Sequence, residues 1–314
     1  MRAGNKTWTY PGFPPPHPLT DSLALVELPM AFRAMEHAGW SSATVVPAYE
    51  AFFGPLTSQC VPDLLQAVNA RQGCRLLDVA TGHGPVALSA LECGCAVTAL
   101  DFSAAFLDRA KASAKSKGYD AAVGGGAPAA GSLRLVEGDA QELPFEDSCF
   151  DAVVCNYGVL HLTDPESFFK EAYRVLAPGG RLAFTVWCAP PEAVPFDIVL
   201  SAVRDVGNPN VDLPAGPLFF QYADAGVASA SLLRHGFDSP CTSTVAQHLS
   251  LARADDLYAL FAEGTVRTRA LLRQQTPVAL AGIRRRMASD VEARAGRALA
   301  CPCRLTSARK PTSK

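Results

Sequence analysis

A doubly wound α/β fold with a mostly parallel sheet is the class the sequence predicts, and three observations predict it. Five apolar runs, RLLDVA, AVTALD, LRLVEGD, FDAVVCN and RLAFTVW, begin at positions 75, 96, 133, 150 and 181. They lack polar alternation, as strands covered on both faces do. Helical stretches stand between most of them, so the connections are crossovers, which are right-handed between parallel strands. The third observation is a glycine-rich turn, ATGHGP, directly after the first run, where such a sheet presents its carboxyl edge to ligands.

Bulk properties agree with that class. A chain of 314 residues, 49% hydrophobic and 18% charged, can bury one large core or one domain with a substantial appendage. The formal net charge of −2 and the lack of a basic tract speak against nucleic acid, whose phosphates are bound by clustered Lys and Arg. The stretch MRAGNKTWTYPGFPPPHPLT has no apolar signal region, and no window suits a membrane span. The ten cysteines are expected to be reduced, in a cytoplasmic protein. Cys93/Cys95 and Cys301/Cys303 have one residue between them and no His at finger spacing, so they read as small hydrophobes, and no metal is expected.

Taken in chain order, residues 1–43 read as an irregular Pro-rich arm. Residues 44–70 carry apolar spacings such as Phe52 with Leu56 and Leu64, Leu65 with Val68, which suit short helices forming a lid. The strands occupy 75–187. Within them, GYDAAVGGGAPAAG (118–131) is a small-residue linker without a role, at the edge of the sheet away from ligands. Asp164-Pro165-Glu166 starts a helix, with a cap, a proline in the first turn and an acid at the positive dipole end. Phe168, Phe169, Ala172, Val175 and Leu176 form its apolar face, and Pro178-Gly179-Gly180 ends it. Residues 188–306 form a substrate-side region, with helices near 194–206 and ending in LLRHGF, a strand in CTSTVAQHLSL and a helical insertion at about 252–296. ALACPCRL is the last strand, and 307–314 is a frayed tail.

The glycine turn sets the chemistry. Gly82 and Gly84 with Ala87 spell G-x-G-x-x-A, a turn whose backbone N–H groups approach a ligand because no side chain intervenes. Asp101, ending the second strand, suits ribose hydroxyls, whether of a nicotinamide dinucleotide or of another adenosine ligand. Asp78, four residues before Gly82, is awkward beside a pyrophosphate and acceptable beside an ammonium-bearing ligand. Asp139 follows the third strand, where a carboxylate can accept from an adenine amino group, and Asn156 ends the fourth.

In order and spacing, LLDVATGHG, VTALDFS, VEGDAQELPF and FDAVVCNYGVLHLTDPESFFKEAYRVLAPGGRLAFTVW resemble the class I S-adenosylmethionine-dependent methyltransferases. The branch they resemble is the small-molecule one typified by the ubiquinone/menaquinone-biosynthesis enzymes. The resemblance covers 75–187 and departs at Ala80, where the commonest form of the loop has its first glycine. It implies a Rossmann-like, seven-stranded sheet with a reversed last strand, and S-adenosyl-L-methionine as cofactor. By carry-over, Gly82 and Gly84 approach the methionine part, Asp101 holds the ribose, Phe102 packs on the adenine, and Asp139 with Ala140 reads its edge. Asn156 faces the sulfonium, Asp78 orients the loop through water, and Tyr49 of PAYEAFFG is the lid tyrosine touching the cofactor.

Tyr157, His161 and Trp187 are the acceptor-pocket candidates. His161 is the one candidate for a general base, needed only where the acceptor must lose a proton; the alternative is a histidine bonded to the loop backbone. The expected function is methyl transfer to a small organic acceptor, in the manner of specialised metabolism. A NAD(P)-dependent oxidoreductase, a peptide or protein methyltransferase and a catalytically silent cofactor-binding protein stand as alternatives.

Overall fold

The structure is a computed structural model that describes residues 24–123, 128–294 and 298–312. Four helices come first: α1 (Ala24–Trp40), α2 (Val45–Phe52), α3 (Gly54–Thr57) and α4 (Val61–Ala67). The alternating core follows as β1 (Arg75–Val79), α5 (Pro85–Glu92), β2 (Ala96–Asp101), α6 (Ala104–Ser116), β3 (Ala121–Val123), β4 (Leu133–Glu137), β5 (Phe150–Asn156), α7 (Pro165–Val175) and β6 (Leu176–Trp187). The remainder is α8 (Val194–Val206), α9 (Ala225–Arg234), β7 (Asp238–Val245), β8 (His248–Ser250), α10 (Asp256–Glu263), α11 (Arg267–Arg273), α12 (Pro277–Glu292), β9 (Ala298–Ala300) and β10 (Cys303–Arg309).

The helix starts follow from local chemistry. Asp164 accepts from the N–H groups of Glu166 and Ser167 with Pro165 in the first turn of α7, and Ser103, Asp224 and Thr276 cap α6, α9 and α12 in the same way. The main sheet runs β3-β4-β2-β1-β5-β6-β10-β7, and only β10 is antiparallel to its neighbours. All five predicted strands are present, and the last strand in sequence is reversed. Between β1 and β5 the strand order changes direction, which opens a crevice at their carboxyl ends. Helices cover both faces of the sheet: Leu77, Val153 and Phe184 face one apolar cluster, and Leu76, Val154 and Ala183 face the other.

Four expectations are corrected. The sheet has eight strands, because Ala121–Val123, inside the segment read as a role-free linker, pairs parallel to β4 and covers its edge. Three small residues carry no strand signal of their own, and residues 124–127 lie outside the described residues. The arm read as irregular to residue 43 contains the helix α1, while residues 1–23 lie outside the described residues. Between Met30 and Trp40 the buried positions of α1, Phe32, Glu36 and Trp40, stand four apart, and the charged middle member conceals the stripe. The last strand is Cys303–Arg309, whereas Ala298–Ala300 pairs with β8 in a separate two-stranded sheet. Ser307–Arg309 therefore belongs to the sheet, and Lys310 Nζ donates to the carbonyls of Tyr173 (2.8 Å) and Leu176 (2.6 Å), so these residues are not frayed.

The segment expected to form a lid is helical (α2 to α4), as is the expected insertion (α10 to α12), with α12 packed along α8. Cys301 and Cys303 are buried, while Cys93 is exposed. Among the described residues, no helix is long and apolar enough to cross a membrane.

Candidate ligand cleft at the carboxyl edge

The glycine turn leaves β1 through a series of left-handed residues. Ala80, Gly82 and Gly84 have φ of 55°, 58° and 88°, after which Pro85 opens α5. A glycine at position 80 would adopt this conformation without the steric cost the alanine bears. Beneath the turn, Asp78 Oδ2 accepts directly from Thr81 Oγ1 (2.6 Å) and Ala87 N (3.1 Å), so the carboxylate shapes the loop by direct bonds. Its Oδ1 is buried with no partner among the described residues. Burial pushes the Asp78 carboxyl up to about 7, against the lowering effect of its bonds to Thr81 and Ala87.

That shift has a measurable consequence. The folded state holds the Asp78 proton more tightly than an unfolded carboxyl near 3.8, so the stabilisation is full below about pH 3.8 and is lost as pH rises through about 7. Asp78→Asn, which does not titrate, is therefore expected to gain stability relative to the parent by a few kcal/mol between about pH 4 and pH 8. Urea unfolding at several pH values measures this, and a constant difference between the two proteins would refute it.

Asp101 ends β2 with both oxygens engaged. Oδ2 accepts from Gly82 N and Oδ1 from Ser103 N, each at 2.9 Å, so one carboxylate joins the glycine turn to the start of α6. Burial raises this carboxyl to about 6, opposed by the backbone donors. Phe102 stacks on His37 with ring centroids 4.1 Å apart. Asp139 accepts from Gln141 N and Nε2 through Oδ1 and from Arg33 through Oδ2 at 2.8 Å. Asn156 accepts from Thr185 Oγ1 (2.6 Å) and from the Cys60 thiol (3.3 Å), and donates to the Thr57 carbonyl (3.1 Å).

These groups surround a cleft of about 810 Å³. Of the predicted residues, Tyr49, Gly82, Asp101, Phe102, Asp139, Ala140, Asn156, Tyr157 and His161 line it. Asp78 and Gly84 stand behind its wall, shaping the turn. The sequence reading missed the contribution of α1, which adds Arg33, Glu36, His37 and Trp40 to the lining.

A second cavity of about 410 Å³ shares Trp40, Tyr49, Tyr157 and His161 with the cleft, so the two adjoin. Its remaining walls include Phe53, Phe196, Phe219 and Trp187. Trp187 is thus a wall of the second cavity and not of the cleft, with its ring 4.0 Å from that of Tyr157.

Where the two spaces meet, His161 Nδ1 lies 2.9 Å from Glu36 Oε2, so the ring is bonded to a side chain rather than to the loop backbone. Glu36 is 3% exposed and also accepts from Trp40 Nε1 (2.7 Å) and Arg267 Nε (2.9 Å). Arg267 sends its other nitrogens to the carbonyls of Leu160 (2.9 Å) and Pro217 (3.1 Å), with its guanidinium over the Phe32 ring. Burial alone would raise the Glu36 carboxyl; His161 and Arg267 together outweigh it and hold it at about 2.

Gly158 lies beneath this junction. A Cβ there would stand 2.6 Å from both Ala80 Cβ and Cys155 Sγ. Gly158→Ala is expected to cost about 2 kcal/mol and to lower the melting temperature, because neither neighbour can move without shifting β5 or the glycine turn. An unchanged thermal midpoint would contradict this packing.

Comparison with known proteins shows what this frame is similar to. Residues 77–184 match the model of the methyltransferase domain. Demethylmenaquinone methyltransferase of Thermus thermophilus is 38% identical over 120 residues, which cover 38% of this chain and 49% of that protein. The ubiquinone/menaquinone biosynthesis C-methyltransferase of Brucella anthropi is 37% identical over 118 residues, 37% of this chain and 41% of that protein. An uncharacterised protein of Mycobacterium bovis is 31% identical over 188 residues, 59% of this chain and 61% of that protein. The chain thus spans about half the length of these relatives. Among solved structures, phosphoethanolamine N-methyltransferase 2 of Haemonchus contortus superimposes with TM-score 0.53 at 19% identity, covering 89% of this chain and 60% of that one. The likeness to class I methyltransferases expected from the sequence is borne out over the domain, and the solved structure supports the fold.

Proposed function

We propose that this chain is a cytoplasmic, S-adenosylmethionine-dependent methyltransferase acting on a small organic acceptor. The observation that carries the reading is Asp101, whose buried carboxylate is held between the glycine turn and α6 at the wall of an 810 Å³ cleft. The cleft continues into a separate aromatic cavity, so donor and acceptor have adjoining spaces. Its residues fit the donor: Asp101 for the ribose, Phe102, Asp139 and Ala140 around the adenine, the Gly82 backbone for the methionine part, and Asn156 with Tyr49 near the sulfonium. Bound there, the donor supplies an activated methyl group.

The protein's own part is then alignment and exclusion of water, for which effective molarities of roughly 10⁵ M are attainable. Helices α1 to α4 act as the lid, α1 over the adenine end through Arg33 and His37, α2 and α3 over the methyl-transfer end through Tyr49 and Phe53. The nicotinamide reading has less support, since the domain match is to methyltransferases.

The test is calorimetry of the purified protein with S-adenosylhomocysteine and, separately, NADH. Micromolar binding of S-adenosylhomocysteine supports the reading. Binding of NADH alone would replace it with the oxidoreductase.

A further inference from the structure

Resting on the proposed methyl-transfer reading, we infer that the acceptor is a neutral aromatic hydroxyl compound, deprotonated by His161 Nε2 while Glu36 of α1 positions the imidazole.

Three observations lead to this. First, His161 is common to both spaces, and its Nε2 has no partner among the described residues, whereas Nδ1 is bonded to Glu36. Second, Glu36 carries a carboxylate that can only accept, because Arg267 and Trp40 already donate to it. In its neutral form the imidazole therefore carries its N–H at Nδ1, which leaves the Nε2 lone pair as the basic site. Third, the walls of the second cavity are mostly rings, with Gly264, Thr265, Val266 and Thr268 beside them, and its charged lining residue, Arg267, donates from its three nitrogens to Glu36, Leu160 and Pro217. Among the described residues that line it, no second cation offers itself to a carboxylate or phosphate, and no anion to an ammonium. A flat, uncharged acceptor with an acidic O–H fits these walls and gives the histidine a proton to take.

The step balances. The acceptor O–H bond breaks as the Nε2–H bond forms, and the oxygen lone pair makes the new bond to the methyl carbon as the donor's S–CH₃ bond breaks. The products are a methyl ether, a neutral thioether and an imidazolium paired with Glu36, which returns its proton to water on opening. The other ionisable groups that line the second cavity with His161 are Arg267 on α11, Tyr49 on α2 and Tyr157 after β5. Both tyrosines are pushed up by burial and stay neutral.

The experiment uses the full chain saturated with S-adenosylhomocysteine, whose binding is read by calorimetry in the same samples. Long-range ¹H–¹⁵N correlation on histidine-labelled protein, with His161→Gln for assignment, reads the tautomer of neutral His161. Nδ1–H is expected, and Nε2–H would overturn the proposal. In parallel, 4-nitrophenol, a phenol whose ionised form is coloured, is added as the probe. Bound 4-nitrophenol is expected to ionise at least one pH unit lower than the free compound. His161→Gln should abolish that difference, and Glu36→Gln should reduce it. A bound phenol that ionises as in solution, or no phenol binding, overturns the proposal. Failure to bind S-adenosylhomocysteine would instead defeat the methyltransferase reading on which it rests.

Discussion

Asp101→Ala is expected to weaken S-adenosylhomocysteine binding at least about 100-fold, equivalent to about 2.7 kcal/mol. The carboxylate accepts from Gly82 N and Ser103 N at once, so its removal leaves two backbone donors without partners, and it takes away the acceptor proposed for the ribose hydroxyls. Each orphaned polar group costs about 1–3 kcal/mol if it stays dry, and the glycine turn loses the strut that sets its distance from α6. The same orphaned donors should lower stability as well, an effect partly offset because burial already disfavours this charge and raises its carboxyl to about 6. Asp101→Asn, which keeps one acceptor oxygen, should fall between the two. Calorimetry decides: affinity of the alanine variant within threefold of the parent would remove Asp101 from the site.

The second large effect concerns the buried pair of Glu36 and Arg267. Glu36→Leu leaves a guanidinium that is 6% exposed without its counter-charge, and breaking such a pair from one side costs about 3–5 kcal/mol. Replacing both residues, as Glu36→Leu with Arg267→Met, should recover at least half of that loss, since an apolar pair carries no desolvation cost. Urea denaturation of the two single variants and the double measures the coupling, and a single variant costing less than about 1 kcal/mol would show the pair to be unimportant. In the parent, Glu36 is held at about 2, below an ordinary 4.5, so its contribution is present above about pH 4.5 and is lost as pH falls through about 2. The same residue links stability to the site, because its carboxylate ties α1 to His161 and Trp40.

Much of this frame is local and was therefore legible in the chain. Strands buried on both faces must be continuously apolar, which makes RLLDVA and FDAVVCN recognisable. Helix starts such as Asp164-Pro165-Glu166 satisfy their own N–H groups within a few residues. The glycine turn declares itself because backbone must approach a ligand, and most of the residues expected around it line one cleft.

Other features were decided only by tertiary contact. The edge strand Ala121–Val123 exists because β4 offers it an open ladder, not because three small residues favour extension. Helix α1 hides from pattern reading because its buried face includes Glu36, a residue that periodicity places outside, and burial becomes tolerable only with Arg267 brought 231 positions along the chain to its side. His161 follows the same rule. Its place after the fourth strand was readable from sequence, whereas its partner was not, since a charge pair in the interior depends on the three-dimensional meeting of two elements and leaves no periodic mark on either.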